Sequence, residues 1–143
     1  MISVFGSYVD KEEINNLSQV IESQWMGFGK KVDEFEEQLT KKLMLKSFAM
    51  VDSGSNALFM AVKLLNLPKN SEIILPSFTW VSCAQAIIMA GHKPIFCDVD
   101  HDTMNITAEF VKKKISEKTA AIMVVHYAGL PVDLDPIIKL GYP

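Results

Sequence analysis

The chain has 143 residues, of which 49% are hydrophobic, and this is enough apolar material for one compact domain with a buried core. Its formal charge is −3 and its lysines are mostly scattered, so the composition disfavours nucleic-acid binding. The sequence shows neither a signal-peptide pattern nor an apolar stretch of membrane-spanning length, so we expect a cytoplasmic protein.

The first 45 residues predict two helices. Asp10 is typical of a helix N-cap, because Glu13 follows at capping-box spacing and apolar residues recur at helical intervals from Lys11 to Ser23. A turn is predicted at Met26 to Gly29. From Val32 to Leu45 a stripe of apolar residues on a charged segment predicts an amphipathic surface helix.

Residues 46–143 predict alternating strands and helices, since short apolar runs alternate with segments of helical periodicity. The predicted strands are Ser47–Val51, Glu72–Leu75, Pro94–Cys97 and Ala120–Val125. The predicted helices are Asn56–Asn66, Ser77–Ala90, Thr107–Ile115 and one that begins at Asp133 or Asp135. This alternation is typical of an α/β fold with a mostly parallel sheet.

Three loops follow predicted strands, where ligands bind in open parallel sheets. In the first, Gly54 permits a close approach to the backbone, and the N–H groups of Ser55 and Asn56 at a helix start suit a phosphate. The sequence is equally consistent with a purely structural role for this loop, in which Ser53 or Ser55 only caps the helix. The loop lacks the dinucleotide and nucleoside-triphosphate motifs, which leaves a smaller monophosphate as the candidate ligand.

The second and third loops carry an aromatic ring and a histidine. Trp80 follows a buried strand, where its ring could stack on a flat ligand, although packing within the protein is the more frequent role. His126 could act as an acid, a base or a hydrogen-bond donor. Because the sequence identifies no carboxylate or nucleophile beside it, a structural role at the strand end is favoured.

The remaining candidate ligands of a metal do not form a recognisable motif. Cys83 and Cys97 lie in apolar runs without a CxxC spacing, so we expect buried free thiols. Asp98, Asp100 and Asp102 lack the later glycine and glutamate of a calcium loop, and turn capping explains them. We therefore predict no metal site.

Several segments together resemble the DegT-type family of nucleotide-sugar aminotransferases, which depend on pyridoxal 5′-phosphate (PLP) and belong to the aspartate-aminotransferase fold group. The matching segments are Gly29–Glu36, Ser53–Leu58, Glu72–Trp80, Pro94–Asp100 and Val125–Pro131. They occur in family order. Within the family, the Pro76–Ser82 and Val125–Gly129 segments are most similar to the branch that aminates a UDP-linked 4-keto-pentose, a step toward aminoarabinose for lipid A.

The resemblance implies a fold and a set of site residues. The fold is a three-layer sandwich, of which residues 1–143 form the N-terminal portion of the large domain: an arm and helices to residue 45, then strand and helix units. By position, Gly54, Ser55 and Asn56 match the family's PLP-phosphate loop, and Trp80 matches the residue that stacks on the pyridine ring. Substrate contacts are expected at Trp25, Gly27 and His126, although Met26–Phe28 departs from the family pattern.

The resemblance also implies what this chain lacks. In the family, the aspartate that pairs with the pyridine nitrogen and the Schiff-base lysine both come after the position of Pro143. We therefore expect no catalytic residue in this chain, no covalent PLP and no activity by the chain alone. The first strand of this fold pairs with a late strand, so we also expect Ser47–Val51 to lack a partner. We therefore expect the chain either to self-associate through apolar surface or to rearrange its first strand. For the full-length parent enzyme, the resemblance implies a homodimer.

Three functions remain open from the sequence. The parent is expected to move an amino group from glutamate to a nucleotide-linked keto sugar in the synthesis of cell-surface sugars. A dehydratase of the same family, in which histidine replaces the lysine, is the alternative within the family. A non-catalytic module or a subunit of a split enzyme is the alternative from another class.

Overall fold

The computed structural model describes residues 6–143, which fall into two compact units that are treated separately below. One unit ends at Met50 and the other spans Val51–Pro143. The first five residues of the expected N-terminal arm lie outside the described residues. No helix within residues 6–143 is long and apolar enough to cross a membrane.

The N-terminal unit contains two helices, α1 (Lys11–Glu22) and α2 (Lys30–Lys42). The predicted capping box is confirmed: the Glu12 N–H donates to Asp10 Oδ1 at 2.8 Å, and the Asp10 N–H donates to Glu13 Oε2 at 2.9 Å. Helix α2 begins and ends earlier than the predicted Val32–Leu45. It stops because Met44 adopts a φ of 52°, in the left-handed region, which cannot continue the helix.

The prediction of a strand at Ser47–Val51 is wrong for this chain. A strand needs a neighbour that pairs with its backbone N–H and C=O groups, and no strand among residues 6–143 lies beside this segment. Instead, the Met50 N–H donates to the Glu36 side chain, with 2.7 Å between N and Oε1. The segment is therefore held by a side chain of α2 and does not join a sheet.

The C-terminal unit contains three parallel strands and four α-helices. Its elements are α3 (Gly54–Leu64), β1 (Glu72–Pro76), α4 (Ser82–Met89), β2 (Lys93–Cys97), α5 (Ala108–Lys112), β3 (Thr119–Ile122) and α6 (Leu134–Ile138). The strand order is β2-β1-β3, and β1 is parallel to both neighbours. The predicted α/β class with a parallel sheet is confirmed.

Successive residues of β1 point to opposite sides of the sheet, and each side has its own core. Ile73 and Leu75 pack in a cluster with Val62 of α3 and Ile87 of α4. On the other side, Ile74 packs in a cluster that includes residues of α5 and α6. Helices thus cover both faces of the sheet, which gives the expected three layers.

Several element boundaries differ from the prediction. The helix predicted at Ser77–Ala90 begins only at Ser82, because the Ser77 N–H donates to the Cys97 carbonyl at 2.8 Å and keeps that residue at the sheet. Residues 77–81 therefore form a loop. The strand predicted to reach Val125 ends at Ile122, and the helix predicted to reach Ile115 ends at Lys112, although its N-cap Thr107 is as predicted.

Polar side chains outside the cores stabilise the turns and are consistent with the structural roles expected for them. Asp100 Oδ1 accepts hydrogen bonds from the Thr103 N–H and Oγ1, both at 3.0 Å, and the first of these is the main reason that the pKa of Asp100 is lowered.

Cys97 is a fully buried free thiol. Burial raises its pKa to about 11, so it is a poor nucleophile near neutral pH.

Glu72 joins the start of β1 to both neighbouring segments. Its Oε2 accepts a hydrogen bond from Ser116 Oγ at 2.6 Å, and its Oε1 accepts one from Lys93 Nζ at 3.2 Å. These two contacts, the serine bond first, lower the pKa of Glu72 below its usual range.

We expect the Glu72 contacts to make the free energy of unfolding depend on pH. Because the folded-state pKa is lowered, the contribution is fully present above the unfolded pKa and is lost as the pH falls through the folded pKa. The Glu72→Gln variant should be less stable than the wild-type chain at pH ~7. The difference in free energy of unfolding between the two should shrink as the pH falls below ~4. Urea unfolding over this pH range measures the effect, and a constant difference between the two proteins would contradict it.

Candidate functional site

A cleft at the C-terminal end of the sheet brings together two of the three predicted loops. Its volume is about 670 Å³, and its lining comes from the start of α3, the loop after β1 and the start of α4. The lining residues are Gly54, Ser55, Ala57, Leu58, Ala61, Trp80 and Ser82. None of these side chains is charged, so the electrostatics of the cleft depend on backbone dipoles and hydroxyl groups.

The start of α3 combines a helix cap with unused backbone donors. Ser53 is the N-cap: its Oγ accepts a hydrogen bond from the Asn56 N–H at 3.3 Å, as the capping interpretation expected. The N–H groups of Gly54 and Ser55 have no hydrogen-bond acceptor among the described residues. A Cβ built on Gly54 meets nothing within 4 Å, so the backbone there faces open space. The positive end of the helix is therefore accessible to an anion.

Asn56 already has hydrogen-bond partners within the protein, and its expected contact with the cofactor stays a prediction. Its side-chain Nδ2 donates to Asp52 Oδ1 at 2.7 Å, and its backbone N–H already donates to Ser53 Oγ. It is also absent from the cleft lining. The backbone N–H of Asn56 can serve an anion only by exchanging its long bond to Ser53, whereas the N–H groups of Gly54 and Ser55 need no such exchange.

Trp80 presents an apolar ring at the edge of the cleft. Trp80 is 72% exposed, although the loop that carries it begins at the end of the buried strand β1. Tryptophan rings usually bury most of their area, so an exposed ring in a cleft is available to stack on a flat ligand.

Ser82 is a cleft residue that the sequence analysis did not identify. Its Oγ lies 2.9 Å from Ser55 Oγ, although the two residues are 27 positions apart. Ser82 is only 6% exposed. Sequence spacing gives no sign of this contact, because it depends on how α3 and α4 pack together.

The third loop is held by internal hydrogen bonds. His126 Nδ1 accepts a hydrogen bond from the Val132 N–H at 2.9 Å, which is the kind of structural role that the sequence favoured. The buried Asn105 accepts from the Tyr127 N–H at 3.1 Å and donates to the Leu130 carbonyl at 3.0 Å. His126 does not line the cleft, and its expected contact with substrate stays a prediction.

The third loop also contacts the second loop. The rings of Phe78 and Tyr127 lie 4.9 Å apart at an interplanar angle of 44°. This contact connects the third loop, which is held by its internal hydrogen bonds, to the segment that carries Trp80.

The other two residues expected to contact substrate lie in the N-terminal unit. Trp25 Nε1 donates to the Phe28 carbonyl at 2.7 Å, which closes the turn that contains Gly27. A Cβ on Gly29 would approach Trp25 Cδ1 to 2.8 Å, so the ring packs directly on the glycine backbone. The turn is a compact local structure, and its role with substrate stays a prediction.

Comparison with known proteins gives the family. The model of the DegT/DnrJ/EryC1/StrS aminotransferase family matches residues 7–142, which is nearly the whole chain. The chain belongs to this family. The resemblance to the DegT-type family is therefore confirmed.

Individual aminotransferases are also similar to this chain. The chain is 33% identical over 139 residues to dTDP-4-dehydro-2,3,6-trideoxy-D-glucose 4-aminotransferase of Saccharopolyspora spinosa, covering 96% of this chain and 36% of that protein. Its structure is similar to the aminotransferase TlmJ from Streptoalloteichus hindustanus, with a TM-score of 0.87 and 34% identity over 100% of this chain and 41% of that one.

A solved dehydratase of E. coli is also similar. GDP-4-keto-6-deoxy-D-mannose-3-dehydratase with bound hydrated PLP has a TM-score of 0.85 and 32% identity, covering 94% of this chain and 36% of that one. The chain thus spans little more than a third of the length of these relatives.

Proposed function

We propose that this chain is the N-terminal part of the large domain of a PLP-dependent sugar aminotransferase and that the cleft holds the phosphate and the pyridine ring of PLP. The observation that supports the proposal most is one cleft that combines unused N–H donors at the start of α3 with the exposed ring of Trp80. The solved structure of the similar dehydratase contains bound PLP, which supports the proposal of PLP as the cofactor.

The residues present fit a phosphate and a flat ring. A phosphate needs hydrogen-bond donors and positive potential, and Gly54 N–H, Ser55 N–H and Ser55 Oγ supply the donors at a helix start. Lining residues without charge place no carboxylate in the cleft to repel an anion. Trp80 supplies an apolar surface for the ring.

In the parent enzyme, we propose that an amino group passes from glutamate to the keto group of a nucleotide-linked sugar, so that 2-oxoglutarate and an amino sugar are formed. PLP, when bound, carries the amino group and withdraws electrons from the carbon that exchanges a proton. The part proposed for this chain is to bind and orient the cofactor through Ser55 and Trp80. A cytoplasmic homodimer that makes precursors of cell-surface sugars, with a 4-keto-pentose as substrate, also remains a proposal.

We expect this chain by itself to transfer no amino group. The lining of the cleft contains no lysine among the described residues, and Lys63, on α3, belongs to the last turn of that helix. Among the described residues, no lysine therefore lies at the cleft to carry the proton that amino-group transfer requires.

A dehydratase of the same family is the second candidate function. The similarity to the E. coli dehydratase, at 32% identity, is close to that of the aminotransferase relatives. Both functions require the same cofactor-binding cleft, so the cleft does not distinguish them.

Binding of pyridoxine 5′-phosphate tests the proposal. This probe has the ring and phosphate of PLP but no aldehyde, so it cannot react with surface lysines. We expect the chain to bind it at least about tenfold more tightly than pyridoxine, because hydrogen bonds to a charged phosphate contribute over ~1.4 kcal/mol. Equilibrium dialysis measures both affinities, and equal affinities would contradict the proposed phosphate site.

A further inference from the structure

Ser82 carries a buried hydroxyl group whose partner belongs to the proposed phosphate loop. It is the first residue of α4, and its Oγ lies 2.9 Å from Ser55 Oγ. Ser82 is 6% exposed, whereas Ser55 is exposed at the cleft. The two hydroxyl groups thus form a pair with one buried member and one accessible member.

The burial of Ser82 favours one direction for the hydrogen bond between the two hydroxyl groups. A hydroxyl has one proton to donate and two lone pairs to accept. If Ser55 donated to Ser82, the proton of Ser82 would have no acceptor among residues 6–143, and a buried donor without a partner is unfavourable. If Ser82 donates to Ser55, both requirements are met, because the accessible Ser55 keeps its own proton for solvent or a ligand.

We propose that Ser82 is a positioning residue that directs the Ser55 hydroxyl proton toward the phosphate of the cofactor, an inference that rests on the proposed function. A phosphate dianion only accepts hydrogen bonds, so Ser55 must be a donor to it. A hydroxyl that accepts one bond donates a stronger second bond, because the chain of hydrogen bonds is polarised. Ser82 lines the cleft with only 6% of its surface exposed, so the role proposed for it runs through the accessible Ser55 hydroxyl.

The test compares pyridoxine 5′-phosphate with pyridoxine in the wild-type chain and its variants. Ser82→Ala should weaken binding of the phosphate probe by about fivefold to tenfold and leave pyridoxine binding within about twofold. Ser82→Thr keeps the hydroxyl and should bind both probes as the wild type does. In a Ser55→Ala background, Ser82→Ala should have no further effect, because the hydroxyl it positions is gone.

The outcomes separate the two proposals. A wild-type chain without preference for the phosphate probe overturns the proposed function and this inference with it. A wild-type preference that Ser82→Ala leaves unchanged overturns the positioning role alone, and so does an equal loss for both probes, which indicates a structural role. Circular dichroism checks folding, and if Ser82→Ala does not fold, Ser82→Cys replaces it, since a thiol is a weaker donor of similar volume.

Discussion

Replacement of Ile87 by alanine is expected to lower the free energy of unfolding by about 2–5 kcal/mol. The Ile87 side chain is fully buried in the cluster that joins α3 and α4 to the sheet face of Leu75. Its truncation removes apolar contacts and leaves a cavity in a layer that also positions the starts of both helices. Urea unfolding followed by circular dichroism measures the change.

The adjacent residue provides a matched control. Ile88 is the same residue type in the same helix but is 60% exposed. Ile88→Ala should therefore cost less than about 1 kcal/mol. Equal losses for Ile87→Ala and Ile88→Ala would contradict the assignment of the buried face of α4.

Replacement of Trp80 by alanine is expected to weaken binding of pyridoxine 5′-phosphate by about tenfold or more, since aromatic stacking on a heterocycle contributes ~1–3 kcal/mol. Trp80 is 72% exposed at the cleft, so its removal should cost little folding stability. Trp80→Phe keeps an aromatic face and should remain within about threefold of the wild type. Equilibrium dialysis measures the three affinities.

Trp25 is the control for this experiment, because the chain has only two tryptophans. Its indole N–H closes a turn in the N-terminal unit, and it does not line the cleft. Trp25→Ala should leave the affinity for the probe unchanged. If Trp25→Ala and Trp80→Ala weakened binding equally, stacking at Trp80 would not be the cause.

Local sequence signals predicted the parts of the fold that depend on near neighbours. The capping box at Asp10 and Glu13 needs only a spacing of three residues, and the residues of β1 after Glu72 are all apolar. Both were predictable for that reason. The strand at Ser47–Val51 was predicted wrongly from its apolar character, because a strand also requires a partner. The expectation that this segment lacks a partner came from the family resemblance and not from the segment itself.

In the candidate site too, features that depend on near neighbours were predictable, and contacts between distant residues were not. A glycine between serines at a helix start predicted that a ligand could approach the backbone closely, and the backbone at Gly54 faces open space. The competing contact of Asn56 with Asp52 and the pairing of Ser55 with Ser82 depend on rotamers and on the packing of α3 against α4. Such contacts have no periodic or motif signal in the sequence, so only the structure could give them.

Amide chemical shifts during a titration with pyridoxine 5′-phosphate test the central claim most directly, because they locate the phosphate and the ring at once. We predict the largest changes at the amides of Gly54 and Ser55 and at the indole N–H of Trp80. Pyridoxine, which lacks the phosphate, should change the Trp80 signal with much smaller changes at Gly54 and Ser55. Unchanged signals at Gly54 and Ser55 with the phosphate probe, or largest changes outside the cleft, would contradict a cofactor site at the start of α3.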